Sequence, residues 1–219
     1  MNRDGSSPRL SAIVIARNEA ANIDRCLAAL SFCDEIVVVD AESEDDTVSR
    51  ARRYTDRVWI EPWRGYAEQK RFALDRSVGE WVLWVDADEV VRPELARAVR
   101  AAADAETPRF PGYRLRRRVN YLGHWIRFGS FGHDWVVRLF RRDRGRFSDA
   151  LVHEELLIDG PIGRLEGWLE HWTYRDLAHH REKIERLSEL WARQEAARGR
   201  TVRVGEATMR SAARYLRLL

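Results

Sequence analysis

Val82-Leu83-Trp84-Val85-Asp86-Ala87-Asp88-Glu89 runs four apolar residues straight into two carboxylates spaced two apart. The apolar part has the length of a buried strand, which puts the carboxylates at its C-terminal end, the edge where open α/β sheets bind ligands. In an extended segment side chains two apart point the same way. Asp86 and Asp88 can then share a hard divalent cation, Mg²⁺ or Mn²⁺, and the diphosphate it carries. Alone, the same residues would also make an acidic loop that caps the next helix. The neighbouring segments decide between the two.

Upstream, Leu10 to Ala16 is a short β-branched run, followed by a cap at Asn18 and by Ile23, Cys26, Leu27 and Leu30 at helical spacing. Glu35 to Asp40 repeats the pattern, with Ser43 and Asp46 spaced like a capping box for a helix through about Arg53. Val58 to Ile60 reads as a third strand, Tyr66 to Ser77 as a helix, Trp81 to Val85 as a fourth strand, and Pro93 as the first position of another helix. Strands alternating with helices imply an α/β fold with a mostly parallel, doubly wound sheet. After Thr107 to Gly112 the rhythm changes to an alternating run at Tyr113 to Arg117, an aromatic loop from Tyr121 to Trp135 and a strand at Val136 to Phe140. A mixed sheet with long loops is expected there. From Asp176 the chain turns helical, with His180, Ile184, Leu187 and Trp191 on one face and a second helix over Glu206 to Leu219. The expected organisation is a catalytic domain at 1–175, with halves 1–106 and 107–175, and a helical extension at 176–219.

Composition excludes several classes. Cys26 and Cys33 are the only cysteines of the 219 residues, which rules out a disulfide framework or a zinc-finger spacing and fits a reducing, cytoplasmic compartment. No apolar signal segment or bilayer-spanning run is visible, so a protein peripheral to the inner membrane is expected. Divided after Phe110, the chain has 16 basic and 21 acidic residues before and 22 and 14 after, or −5 and +8. A basic second half suits a phosphorylated acceptor, an anionic membrane surface or nucleic acid. There is no GxxxxGK[ST] and no GxGxxG, so phosphate-loop and dinucleotide folds lose their phosphate cradle.

Four ordered blocks resemble the inverting family 2 glycosyltransferases with a GT-A fold: Ser11-Ala12-Ile13-Val14-Ile15-Ala16-Arg17-Asn18-Glu19, Asp40-Ala41-Glu42-Ser43-Glu44-Asp45-Asp46-Thr47, Gly65-Tyr66-Ala67-Glu68-Gln69-Lys70-Arg71-Phe72-Ala73, and Asp86-Ala87-Asp88-Glu89. Within that family the chain looks closest to bacterial lipopolysaccharide core enzymes that attach glucose to an inner-core heptose. The resemblance implies that the Ala16 to Glu19 loop, Arg17 included, wraps a uridine, that Glu19 faces the ribose, and that Asp40 accepts from the uracil ring. Lys70 and Arg71 would offset diphosphate charge, Asp86 would approach the ribose or metal, and Asp88 would ligate the metal. Val152-His153-Glu154 matches the family's VHE block, which makes Glu154 the base, with Glu155 as the alternative. His171 resembles a late histidine returned to the metal or leaving group. The implied activity moves a sugar, glucose, from a UDP-sugar to a lipopolysaccharide core or related glycan hydroxyl, with inversion.

Other residues suggest an acceptor side. His133 and Asp134 are placed to meet an acceptor, and Tyr121, Trp125, Phe128, Phe131 and Trp135 to stack on sugars or fill a core. Arg138, Arg141, Arg142, Arg144 and Arg146 suit acceptor phosphates or a solvated strand edge. In the last helix Arg203, Arg210, Arg214 and Arg217 oppose Met209, Ala213, Leu216 and Leu219, as on a surface lying on anionic lipid or against a further domain. Rival activities are transfer to a polyprenyl phosphate, nucleotidyl transfer, for which the basic phosphate loop is missing, and a basic nucleic-acid-binding module. The last leaves the acidic strand end unexplained, so no nucleic-acid partner is expected.

Overall fold

The computed structural model describes residues 9–128, 134–148, 156–197, 199, 205 and 209. In chain order the elements are β1 (Leu10–Ala16), α1 (Ile23–Ala28), β2 (Glu35–Asp40), α2 (Thr47–Ala51), β3 (Val58–Ile60), α3 (Tyr66–Arg76), β4 (Trp81–Asp86), β5 (Glu89–Val91), α4 (Pro93–Asp104), β6 (Gly112–Tyr121), β7 (His124–Trp125), β8 (Asp134–Arg141), β9 (Gly145–Phe147), β10 (Leu156–Ile158), β11 (Ile162–Tyr174) and α5 (Leu177–Ala197). One sheet runs β3-β2-β1-β4-β8-β6-β11-β5, with β7 added to β6; β9 and β10 pair separately.

The first four strands of that order are parallel, as strands joined by helical crossovers must be. β1 sits in the middle and is buried on both faces, which is why it reads as a continuous apolar run. Alternate residues feed two cores. Ala12, Val14, Val38, Leu83 and Val85 pack with α1 and α4, through Ile23, Leu27, Leu95 and Val99. Ile13, Val37, Val39, Val82 and Trp84 pack under α3 with Phe140 and Phe147. Each fully buried Leu or Ile contributes about 2 kcal/mol, so this doubly faced sheet is the rigid base on which the site stands. β8 then adds antiparallel to β4, β6 antiparallel to β8, β11 parallel to β6, and β5 antiparallel to β11. The second half of the chain therefore continues the first half's sheet.

Some local readings are corrected. α1 starts at Ile23, not after Asn18; Asn18 takes a left-handed φ of 54°, and its side chain accepts from Glu44 N–H at 2.9 Å instead of capping. No capping box forms at α2, because Ser43 is held by Asp40 and Asp46 makes no side-chain cap. The alternating run at Tyr113 to Arg117 lies in β6, and its partner β11 carries a bulge between Leu165 and Trp168. In that bulge Gly167 has φ +109°, and a Cβ there would lie 2.6 Å from Leu95 N, so α4 packs directly on its backbone. On α5, Ile184 and Trp191 are exposed instead of forming a packed face. The helix expected over Glu206 to Leu219 lies, apart from Met209, outside the described residues, as does Phe131. Cys26 and Cys33 are free thiols. Among the described residues no helix is long and apolar enough to cross a membrane.

Candidate active site at the carboxyl edge of the sheet

The chain leaves β1 and β2 at the same edge, and their following loops are laced together. Asn18 N–H donates to Ser43 Oγ at 2.8 Å, Glu19 N–H to Thr47 Oγ1 at 2.8 Å, and Ala20 N–H to Asp45 Oδ2 at 3.1 Å. Asp40, fully buried at the end of β2, anchors the second loop by accepting from Ser43 N–H at 2.8 Å and Ser43 O–H at 2.5 Å. Arg17 is exposed on the first loop. Together they form a cleft floor made of short polar side chains and backbone.

Asp86 ends β4, but Ala87 and Asp88 form a turn before β5, so the segment is not extended and its two carboxylates diverge. Asp86 accepts from Arg138 Nη2 at 2.7 Å and from Trp84 Nε1 at 3.1 Å. Arg138, only 2% exposed, also donates to Glu89 Oε1 at 2.8 Å. It reaches both because β8 carries it as an extra residue opposite the Tyr113–Arg114 step of β6, a bulge that re-aims its side chain. The Arg138 guanidinium and the Lys70 ammonium both lie over the Trp84 ring, each 3.7 Å from its centroid. Burial pushes the Asp86 carboxyl up, but Arg138, then Lys70 and His171, overcome it and hold it well below the usual carboxylate range. Asp86 is thus a fixed anion within a permanent ion cluster.

Asp88 has different company. Its Oδ2 lies 3.2 Å from His171 Nε2, at the end of β11, and 3.5 Å from Lys183 Nζ, on the second turn of α5. Its backbone carbonyl accepts from Trp172 N–H at 2.8 Å, which fixes the turn against β11. Burial opposes ionisation, but His171 and Lys183 bring its carboxyl down to about 2. Glu19 is drawn in beside it: burial, then the charge of Asp88, pushes Glu19 up to about 7, while Asn22 Nδ2 donates to it at 2.6 Å. His171 is raised despite its burial because Asp88 faces it. Its Nδ1 is buried without a partner among the described residues.

These donors fit a divalent cation that takes its remaining ligands from substrate. Among the described residues no cluster of three acidic, histidine or cysteine side chains encloses a metal. Asp88 and His171, 3.2 Å apart, could supply one hard oxygen and one imidazole to such a cation, with phosphate and water completing its shell. Lys183 is the second positive neighbour of the Asp88 carboxylate.

The sheet edge therefore gathers Ala16, Arg17, Glu19, Asp40, Lys70, Asp86, Asp88 and His171. Arg71 points elsewhere, pairing with Glu68 and donating to Phe147 O at 3.2 Å. Asp134 pairs with Arg117, which also reaches Glu89 at 3.2 Å. Glu154, Glu155 and His133 lie outside the described residues. In the sequence Arg138 stands only as part of a basic run, Glu89 only as the last residue of the acidic block, and Trp84 and Arg117 carry no individual signal. Lys183 had one usable mark, as the second of only two lysines in an arginine-rich chain.

A parallel β3-β2-β1-β4 core with an acidic turn at its carboxyl edge and a mixed extension is the GT-A architecture of glycosyltransferases. TarS of S. aureus in complex with UDP-GlcNAc superposes with a TM-score of 0.55 at 18% identity, over 83% of this chain and 64% of that one. Mannosyl-3-phosphoglycerate synthase from Rubrobacter xylanophilus gives 0.54 at 18%, over 90% and 77%. These likenesses concern the fold. The chain belongs to glycosyl transferase family 2, whose model matches residues 11–153. It is 34% identical over 204 residues to the lipopolysaccharide core biosynthesis glycosyltransferase LpsC of Rhizobium meliloti (strain 1021), covering 89% of this chain and 74% of the relative. It is 37% identical over 176 residues to the uncharacterized glycosyltransferase RT0209 of Rickettsia typhi (strain ATCC VR-144 / Wilmington), spanning 60% of that protein's length. It is thus a family 2 glycosyltransferase, similar in sequence to a lipopolysaccharide core biosynthesis enzyme.

Proposed function

We propose that the protein is an inverting, metal-dependent transferase that moves glucose from UDP-glucose to a hydroxyl of a lipopolysaccharide core or related glycan, working at the cytoplasmic, anionic face of the inner membrane. The carrying observation is the split acidic turn: Asp86 is locked to Arg138, while Asp88 faces His171 and Lys183 at the mouth of the laced loops. UDP-GlcNAc in TarS and the lipopolysaccharide core role of LpsC support a UDP-sugar donor and a glycan acceptor.

In this reading the loops after β1 and β2 take the uridine, with Glu19 toward the ribose and Asp40 toward the base. Asp88 and His171 would hold Mg²⁺ or Mn²⁺, which neutralises the diphosphate. Lys70 and Lys183 flank the leaving group with fixed positive charge. The acceptor oxygen attacks the anomeric carbon opposite the diphosphate, its proton passes to the Glu154 carboxylate, and the bond to UDP breaks in the same displacement. Residues 1–106 then serve the donor, 107–175 the acceptor, and 176–219 the membrane surface, although Lys183 ties the start of that extension to the donor site.

Thermal melting with UDP and Mn²⁺ tests this. Saturation near a hundred times Kd contributes about 2.7 kcal/mol, or roughly 5–10 °C for a chain of this size. The gain should vanish in Asp88→Ala. An unchanged melting temperature in the wild-type protein, or an undiminished gain in the variant, refutes the assignment; UDP release from a panel of UDP-sugars then identifies the donor.

A further inference from the structure

The Asp88 carboxylate meets two nitrogen groups on a single oxygen: Oδ2 lies 3.2 Å from His171 Nε2 and 3.5 Å from Lys183 Nζ. His171 belongs to β11 and is held in the sheet by pairing with Val119 on one side and Glu89 on the other. Lys183 belongs to a helix that is held more thinly. Near the site, α5 docks through His180, whose Nδ1 lies 2.9 Å from Tyr121 Oη and whose ring lies 4.1 Å from that of Tyr174. The Lys183 ammonium follows one turn later, 5.4 Å over the Tyr174 ring. Beyond it Ile184 and Trp191 are exposed, so little apolar burial adds to the hold. Docking of the first turns therefore leans on the His180 contacts and on the ion pair to Asp88.

The two neighbours of Asp88 differ in how they can answer a ligand. An imidazole fixed in the sheet can share a cation with the carboxylate. An ammonium has no lone pair to ligate one, and a dication on Oδ2 repels it. The Lys183 side chain keeps 22% of its surface exposed against 10% for Asp88, which puts it on the outer side of the carboxylate. Its four-carbon stem can swing without opening an apolar core. A diphosphate arriving with a cation brings negative charge to that same opening, and lysine binds phosphate as a point charge.

We propose that Lys183 is an exchangeable counter-ion: without donor it pairs with Asp88 and docks the start of α5, it yields that carboxylate to a divalent cation, and it re-pairs with the donor diphosphate, bringing α5 down over it. The inference rests on the glycosyltransferase reading. Metal and lysine then compete while diphosphate and lysine cooperate, so one substitution must move two affinities in opposite directions. A lysine that only holds the fold together would move both the same way or neither.

Calorimetric titration of the full chain with Mn²⁺ alone, and then with UDP at saturating Mn²⁺, tests this in the wild type and in Lys183→Gln. The variant should bind Mn²⁺ about five-fold more tightly, because a competing like charge is gone, and UDP about ten-fold more weakly, because a phosphate partner is gone. Lys183→Arg, which keeps the charge, should stay within about two-fold of the wild type for Mn²⁺. Amide hydrogen exchange over residues 177–190 gives an independent readout: in the wild type it should quicken with Mn²⁺ alone and return to the ligand-free rate or below once UDP is added. Mn²⁺ binding that is unchanged or weaker in Lys183→Gln overturns the proposal, as does undiminished UDP binding in that variant or α5 exchange that Mn²⁺ leaves unaltered. If the wild type binds no UDP even with Mn²⁺, the glycosyltransferase reading itself fails; if it binds UDP and the two affinities do not diverge, only the role of Lys183 does.

Discussion

Replacing Arg138 by Met removes one buried cation from between the half-buried Asp86 and the buried Glu89 while keeping much of the volume over Trp84. Arg138 lies 2.7 Å from Asp86 and 2.8 Å from Glu89, and the latter is fully buried. Removing one partner of a buried ion pair costs about 3–5 kcal/mol, because the other charge stays behind desolvated. Arg117, 3.2 Å from Glu89, and Lys70, whose charge reaches Asp86, soften the loss toward the lower figure. About 3 kcal/mol corresponds to roughly 6–12 °C for a chain of this length. The pH dependence has a definite sign. In the wild type Asp86 is depressed, so its ionised form stabilises the fold above the ordinary aspartate range near pH ~4, and that stability is lost only as pH falls through the lower folded value. Without Arg138 burial dominates, the folded carboxyl rises above its unfolded value, and the native state binds a proton more tightly. The deficit should therefore shrink on going from pH 8 to 5.5. Melting curves of both proteins in EDTA at the two pH values measure this. A deficit below about 1 kcal/mol, or one equal at both pH values, would refute the claim that Arg138 neutralises the Asp86 and Glu89 carboxylates.

Three further outcomes are expected. Lys183→Gln should lower kcat/KM for UDP release by about ten-fold, or about 1.4 kcal/mol, with an unchanged melting temperature; full activity would remove α5 from the donor site. Glu154→Gln should lower kcat by about 10²–10⁴ while leaving UDP-induced stabilisation intact, and Glu155→Gln should stay near wild type; the reverse pattern moves the base by one residue. Gly167→Ala should destabilise by at least ~2 kcal/mol in urea unfolding, since φ +109° is strained for alanine and its Cβ would meet Leu95 N at 2.6 Å; an unaffected midpoint would mean that α4 shifts freely on β11.

Residues 1–106 were legible because the physics that shapes them is local. β3 matches Val58 to Ile60, β2 matches Glu35 to Asp40, and α4 starts at Pro93, each set by a short apolar run or a proline that acts within a few residues. Asn18 and Ser43 were misread as caps because the loops they belong to hydrogen-bond each other across 25 residues, information no local window contains. β5 was missed because Glu89-Val90-Val91 is a strand only through its pairing with Leu169 to His171. Arg138 looked like one more cation on a basic strand, since nothing in the sequence marks the bulge that turns it inward. Lys183 reaches the site through a helix beginning after β11, beyond residues 11–153 that the family model matches.

The acidic turn explains why both halves of the chain are needed. An extended pair of carboxylates would leave two adjacent like charges for one cation to quench, and burial would push at least one toward protonation. Bending at Ala87 and Asp88 separates them: Asp86 falls to Arg138, fixed by a bulge on β8, and Asp88 turns toward His171, fixed by the far end of β11. One carboxylate is thereby neutralised by a permanent cation, and the other faces groups that can yield to a ligand. Both partners come from strands added after residue 107, so a chain stopping at α4 would carry the whole acidic motif with Asp86 left to Lys70 and Asp88 without His171 or Lys183. The signature at Asp86 to Asp88 is therefore necessary for the site, and the antiparallel extension of the sheet makes it chemically usable.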